Sequence, residues 1–185
     1  MTKKIIAFGA SNSKKSINKQ FAQFAANQLS NVELSLLDLN DFELPLYSID
    51  LEMESGIPAN ALKFRELINT SDGIIVSLAE YNGLYTSAFK NLWDWLSRIP
   101  SDQPRNIWAN KPMFLLSTSP SRRPMNNVTK LSLELFPHYG ANIVASFYLP
   151  SFNHFYQNGD IIDAEQKRRF QEQQKVYQDY LDNQA

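Results

Sequence analysis

Apolar residues in this chain fall into short runs that stop at small or polar residues and give way to longer stretches of helical period. Ile5 to Phe8 is apolar throughout and is cut by Gly9; Ile17, Phe21, Phe24, Ala25 and Leu29 then recur at spacings of three and four, which predicts strand, turn and helix. Val32, Leu34, Leu36, Leu37 and Leu39 mostly alternate with polar residues and predict a second strand nearer a sheet edge. Residues 40–57 carry Pro45, acidic residues and scattered aromatics without a period and read as an irregular excursion. Pro58 then opens a helix whose buried stripe is Ile57, Ala61, Phe64, Leu67 and Ile68.

Gly73 to Leu78 is a third strand, apolar on both faces, ended by the polar loop Glu80-Tyr81-Asn82-Gly83 and followed by a helix from Ser87 to Leu96. Pro112 to Leu116 predicts a fourth buried strand running into Ser117-Thr118-Ser119-Pro120. A helix from Asn126 to Tyr139 stops at Gly140, and a fifth strand follows from Asn142 to Tyr148. Ala164 to Leu181 is a charged amphipathic helix with Phe170, Val176, Tyr177 and Tyr180 available for packing. No internal repeat or low-complexity linker divides the chain, so residues 1–185 are expected to form one domain. Strands alternating with helical crossovers imply a parallel sheet with helices on both faces, a doubly wound three-layer α/β architecture. Its ligands belong at the carboxyl ends of the strands, near a topological switch point.

Composition narrows the chemistry. At 43% hydrophobic and 12% aromatic residues, a continuous core is assured and disorder is excluded. The formal charge of −1 removes the basic footprint of a nucleic-acid binder and the acidic surface of a dedicated electron carrier. There is no Cys, and His138 and His154 are the only histidines, without metal spacing to any partner; both read as structural or surface residues, and no metal site is expected. No Gly-x-Ser-x-Gly elbow supplies a nucleophile. The six glycines lie ten or more residues apart, so neither a Gly-x-Gly-x-x-Gly fingerprint nor a Walker A loop exists. The amino terminus is too briefly apolar for a signal peptide and no run approaches a membrane span, so a cytoplasmic protein without membrane contact is expected.

Three strand-end loops remain. Residues 9–18 gather Ser11, Ser13, Ser16 and Asn18 with Lys14 and Lys15 where a helix begins. Backbone N–H groups, the helix dipole and hydroxyls converge there as a phosphate requires, and a monophosphate suits a loop without a glycine wrap. Ser16 as a plain N-cap with serines as turn formers is the competing reading. In Glu80-Tyr81-Asn82-Gly83, the glycine would let backbone approach a flat ring and Tyr81 would pack on it; an exposed turn satisfied by Asn82-Gly83 is equally open. Glu80 has no carboxylate or His partner in its loop and is given a positioning role. Residues 117–124 suit a cover for a ligand, with Arg122 and Arg123 either meeting the phosphate of a second substrate or forming a solvated basic loop. Trp93 and Trp95 lie two apart on a helix; one is expected in the core, the other at a subunit contact.

At these loops the sequence resembles the NADPH-dependent FMN reductase family of flavodoxin-like proteins, which includes azo-dye, quinone and chromate reductases. Residues 9–18 are similar to the family's Gly-Ser-x-Arg-x-x-Ser-x-Asn loop, and residues 72–95 to its Pro-Glu-Tyr-Asn loop and the Lys-Asn-x-x-Asp-Trp helix after it. Residues 111–119 resemble the strand and loop beside the flavin. Ser13 stands where the family carries Arg, Ala79 where it carries Pro, and residues 122–127 where relatives have a Gly-rich turn. The resemblance implies a flavodoxin-like five-stranded sheet of order 2-1-3-4-5. It also implies FMN held by Ser11, Ser13, Ser16 and Asn18 at its phosphate, by Glu80, Tyr81, Asn82 and Gly83 from the third-strand loop, and by Ser117 and Ser119 on its other side.

No side chain is assigned as a catalytic acid, base or nucleophile. The expected activity is ping-pong hydride transfer from NADPH or NADH to FMN and on to a small-molecule acceptor such as a flavin, quinone, azo compound or metal oxyanion. An electron carrier or FMN-binding module without its own NAD(P)H turnover is the alternative. The resemblance also implies a homodimer or homotetramer, with the Trp93/Trp95 helix suited to the contact.

Overall fold

The computed structural model describes residues 2–101, 103, 105–123 and 125–184. β1 (Lys3–Gly9) leads through α1 (Ile17–Asn27) to β2 (Val32–Leu37); a 3-10 turn (Leu39–Phe42) and α2 (Ile49–Ser55) precede α3 (Ala59–Thr70) and β3 (Gly73–Leu78). A hairpin of β4 (Glu80–Tyr81) and β5 (Leu84–Tyr85) runs into α4 (Ser87–Leu96). Next come β6 (Pro112–Thr118), α5 (Asn127–Leu135) with a 3-10 turn (Phe136–Tyr139), and β7 (Asn142–Leu149). A short α6 (Phe152–Phe155), a second hairpin of β8 (Tyr156–Gln157) and β9 (Asp160–Ile161), and α7 (Ala164–Asn183) follow. The main sheet has five parallel strands in the order β2-β1-β3-β6-β7, the expected 2-1-3-4-5 arrangement.

Alternate residues of the buried strands feed two cores. Ile6, Phe8, Ile74, Val76, Met113 and Leu115 meet Phe64, Phe89, Trp93 and Phe136 on the face covered by α3, α4 and α5. Ile5, Ala7, Ile75, Phe114 and Leu116 meet Phe21, Phe24, Phe170 and Tyr177 on the face covered by α1 and α7. Burial on both sides explains why these strands read as unbroken apolar runs, each large side chain contributing about 1.5–3 kcal/mol. Tyr177 is wholly buried; burial pushes its phenol far above the ordinary tyrosine value, and the hydroxyl donates to Ile74 O and Pro112 O, both at 3.3 Å. Val176, expected to pack, is instead 46% exposed, and Leu181 takes its place in the core one turn beyond Tyr177.

Residues 40–57 differ from the irregular reading. They contain the 3-10 turn and α2, which buries no residue and so leaves no apolar stripe to read. Ser48 caps α2, and polar contacts fasten this strap to α4: Trp95 Nε1 donates to Pro45 O at 2.8 Å, Tyr47 N to Asn91 Oδ1 at 2.9 Å. Tyr47 Oη and Arg98 Nε both donate to Glu52 Oε2, at 2.9 and 2.8 Å. Pro58 is the N-cap of α3 rather than its first helical residue. The tryptophan expectation is also corrected. Both indoles are buried in their own chain, Trp93 against Phe136 and Trp108 and Trp95 beneath Tyr47 of the strap, because the strap covers the second helix face.

Candidate functional site

The parallel sheet brings the ends of β1, β3 and β6 to one rim, and hydrogen bonds tie them together. Gly9 lets α1 start directly over β1: a Cβ there would lie 2.6 Å from Lys19 Cα and 2.8 Å from the Asn18 carbonyl carbon. Ala10 N donates to Ser77 O at 2.8 Å, and Thr86, the buried N-cap of α4, donates to Ala10 O at 2.8 Å. Ser11 is buried; its Oγ accepts from Ser13 N at 3.1 Å and lies 3.4 Å from Tyr81 Oη. Ser16 Oγ caps α1 by accepting from Lys19 N at 3.2 Å. Among the described residues, the N–H groups of Asn12, Lys14, Lys15, Ile17 and Asn18 meet no acceptor in the chain. Free amides, serine hydroxyls, two exposed lysines and a helix N-terminus form a donor set that fits a phosphate monoester.

Asn18 faces the other way. Its Oδ1 accepts from Ser77 Oγ at 2.7 Å and Thr118 N at 3.0 Å, and its Nδ2 donates to Thr118 O at 3.1 Å. With 3% exposure it staples α1 to the ends of β3 and β6, the loop's floor rather than its rim.

The second loop is a two-residue hairpin. Asn82 and Gly83 take φ of 53° and 83°, the paired left-handed conformation of a type I′ turn, which explains the Asn-Gly dipeptide. Tyr81, 51% exposed, and Asn82 stand at the open rim, Tyr81 reaching toward Ser11. Tyr85 Oη lies 2.7 Å from Ser132 Oγ of α5, and burial raises its phenol above the usual range against the lowering effect of that bond. The Glu80 carboxylate is turned to α5, accepting from Asn127 N at 2.5 Å and Val128 N at 3.1 Å, with Arg123 Nη1 3.8 Å from its other oxygen.

In the third loop Ser117 is wholly buried, donating to Leu78 O at 2.6 Å and accepting from Asn126 Nδ2 at 2.5 Å. Asn126 in turn caps α5 through Thr129 N. Ser119, half-buried, shares its hydroxyl with Tyr148 Oη at 2.7 Å and Ser121 Oγ at 3.1 Å. Backbone bonds from Ser151 N to Ser121 O and Phe152 N to Ser119 O seat the loop on the segment after β7. Arg122 lines a cavity of about 380 Å³ with Pro150, Ser151, His154 and Phe155, whereas Arg123 faces Glu80. His138 and His154 are exposed.

All three loops therefore converge: Ser13, Tyr81, Asn82, Gly83 and Ser119 keep exposed surface there, and Ser11 and Ser16 are buried just beneath it. Asn18, Ser117 and Glu80 instead make the framework. Sequence reasoning missed Ser77, Thr86, Thr118, Asn126 and Tyr148; Thr86 and Asn126 carry the N-cap signal of a polar residue just before a helix. A separate cavity of about 380 Å³ touches the first loop at Asn12 and extends under Leu44 and Leu46 of the strap to Ser87 and Asn91 of α4. Among the described residues no cluster of His, Asp or Glu could hold a metal, and no helix is long and apolar enough to cross a membrane.

Fold and loops define a flavodoxin-like doubly wound α/β protein with a phosphate-type loop after its first strand and a hairpin after its third. Residues 3–154 match the NADPH-dependent FMN reductase family, and the chain belongs to that family. It is 34% identical over 120 residues to a 2-hydroxy-1,4-benzoquinone reductase from Burkholderia sp, covering 64% of this chain and 62% of that protein. It is 39% identical over 77 residues to the quinone reductase of Escherichia coli (strain K12), covering 42% of this chain and 39% of the relative. The match thus spans about two fifths of the length of that enzyme. Among solved structures it is similar to the flavoenzyme NAD(P)H:(acceptor) oxidoreductase FerB from Paracoccus denitrificans, with TM-score 0.74, 25% identity and 97% of both chains covered. The apo form of the NADH:FMN oxidoreductase EmoB shares the fold at TM-score 0.69 and 18% identity, with 100% of this chain and 92% of that one covered.

Proposed function

We infer that this protein is an NAD(P)H-dependent FMN oxidoreductase whose acceptors are quinone-type molecules. The observation that carries the reading is the set of unpartnered amides and serine hydroxyls at the start of α1, opposite a hairpin that presents Tyr81 and Gly83. Ser11, Ser13 and Ser16, with the free N–H groups between them, would hold the FMN phosphate, while Tyr81, Asn82, Gly83 and Ser119 would line its ring. FMN held there would supply the two-electron redox chemistry that links a nicotinamide nucleotide to the acceptor. The chain's own residues bind, orient and exclude water; none is needed as a nucleophile. Asn18 and Ser117 serve by fixing the loops. Arg122, beside His154 at a cavity rim, is the residue we assign to the 2′-phosphate of NADPH.

Self-association into a dimer or tetramer belongs to the same reading. Leu46, Ile49 and Met53 on the strap are 83%, 60% and 81% exposed, an apolar surface that a second copy would cover. Light scattering of purified protein tests this, and a monomer at micromolar concentration would remove it. The activity is tested by anaerobic stopped-flow titration of FMN-loaded protein with NADPH and NADH. Bleaching of bound FMN on mixing, then reoxidation by a benzoquinone, is expected. FMN binding without bleaching would make the protein a carrier; no binding at all would overturn the reading.

A further inference from the structure

Glu80 is the only acidic residue of the three loops, and its side chain is 11% exposed. Its Oε2 accepts from the first two backbone N–H groups of α5, Asn127 at 2.5 Å and Val128 at 3.1 Å. Asn126 Oδ1 takes the third, from Thr129 at 3.1 Å. Three of the four donors that a helix start leaves open are thereby satisfied. The first turn of α5 contains no acidic residue of its own, so Glu80 supplies from 47 positions away the negative charge the helix dipole favours.

The connection is directional. Glu80 begins the hairpin that follows β3, and α5 ends the loop that follows β6. The far end of that loop is already seated by the Ser119 and Ser121 bonds to the segment after β7. Glu80 seats the near end, and Tyr85 adds a second hairpin-to-α5 bond a turn further on. We propose that Glu80 is a positioning residue: its carboxylate latches the start of α5 onto the hairpin and so sets the spacing between the two walls of the ligand site. The consequence for FMN rests on the function proposed above; the latch itself does not.

Hydrogen exchange of the ligand-free protein, followed by mass spectrometry over residues 125–131, reads the latch directly. FMN affinity by fluorescence titration reads its consequence. Glu80→Ala is expected to raise exchange in that segment by about tenfold or more and to weaken FMN by a similar factor, because a charge-assisted pair of bonds is lost. Asn127→Pro replaces the donated hydrogen by the ring Cδ, which removes the shorter bond and pushes the Glu80 carboxylate away from the helix start while leaving its charge in place. Proline is favoured at the first helical position, and Asn126, with φ −86° and ψ 164°, already has the conformation a residue before proline needs. That variant should reproduce part of both effects, Asn127→Ala should reproduce neither, and Glu80→Ala with Asn127→Pro should be no worse than Glu80→Ala alone. Should Glu80→Ala fail to fold, Glu80→Gln and Asn127→Pro carry the same comparison. Weaker FMN binding with unchanged exchange in Glu80→Ala, or additive effects in the double variant, would mean that Glu80 acts on the ligand directly and would overturn the proposal. If the wild type binds no FMN, the functional reading fails while the exchange data still decide the latch.

Discussion

Replacing Asn18 by alanine separates a residue that holds the loops from one that holds a ligand. The substitution strands three buried partners: the Ser77 hydroxyl, the Thr118 N–H and the Thr118 carbonyl. At about 1–1.5 kcal/mol each, with some relief from water entering near the rim, the loss comes to roughly 3–4 kcal/mol. For a domain of this size that is a fall in Tm of about 10 °C. Asn18→Asp keeps the acceptor for Ser77 and Thr118 but points a carboxylate oxygen at Thr118 O. A buried charge facing a carbonyl raises the folded-state pKa of the new acid, so the stability of this variant should be retained below the ordinary carboxylate value near 4 and lost as pH rises through the folded value. Urea unfolding of the ligand-free protein, followed by tryptophan fluorescence, measures both. The reasoning fails if Asn18→Ala unfolds within about 1 kcal/mol of wild type while its FMN affinity falls tenfold or more, since Asn18 would then be a ligand to the phosphate.

Three other outcomes follow from the geometry. Gly9→Ala would drive a methyl into the Lys19 and Asn18 backbone, which cannot swing aside as a side chain can, and should cost about 2–4 kcal/mol in urea unfolding; a neutral result would mean α1 does not sit that close to β1. Burial pushes the Asp38 carboxyl up, but hydrogen bonds from Lys19, Asn40 N and Asn40 Nδ2 and the Lys19 charge outweigh it and hold the group below its ordinary value. Its contribution is therefore present above about pH 4 and lost as pH falls through the lowered value; Asp38→Asn should cost about 1 kcal/mol at pH 7 because the pair is partly solvated, and a gap that widens on acidification would contradict this. Arg122→Ala should raise KM for NADPH roughly tenfold while leaving NADH unchanged, in steady-state assays at low salt, and an equal change for both nucleotides would remove the assignment.

The main sheet was legible because each inner strand is buried on both faces and so reads as a nearly unbroken apolar run, with polar residues such as Ser77 and Ser117 only toward its carboxyl end. The turn after β3 was legible for a similar reason: Asn82-Gly83 is what two successive positive φ values demand. α2 was not legible, since a helix that buries nothing has no period, and it is held by Ser48 and by Glu52 receiving Tyr47 and Arg98 from outside itself. The site fell between these cases. Its position at the strand ends followed from topology, but the direction of each side chain did not. Asn18 and Ser16 lie in one loop, yet Asn18 is spent on Thr118, 100 positions away, while Ser16 serves its own helix. Glu80 and Tyr81 are adjacent, and strand alternation alone sends one to α5 and leaves the other at the rim. A loop motif therefore combines two kinds of residue, those left open at the rim and those that hold the loops in register. Only the distant partner distinguishes them, and that is why the framework residues Ser77 and Thr118 became visible only once the ends of β1, β3 and β6 were side by side.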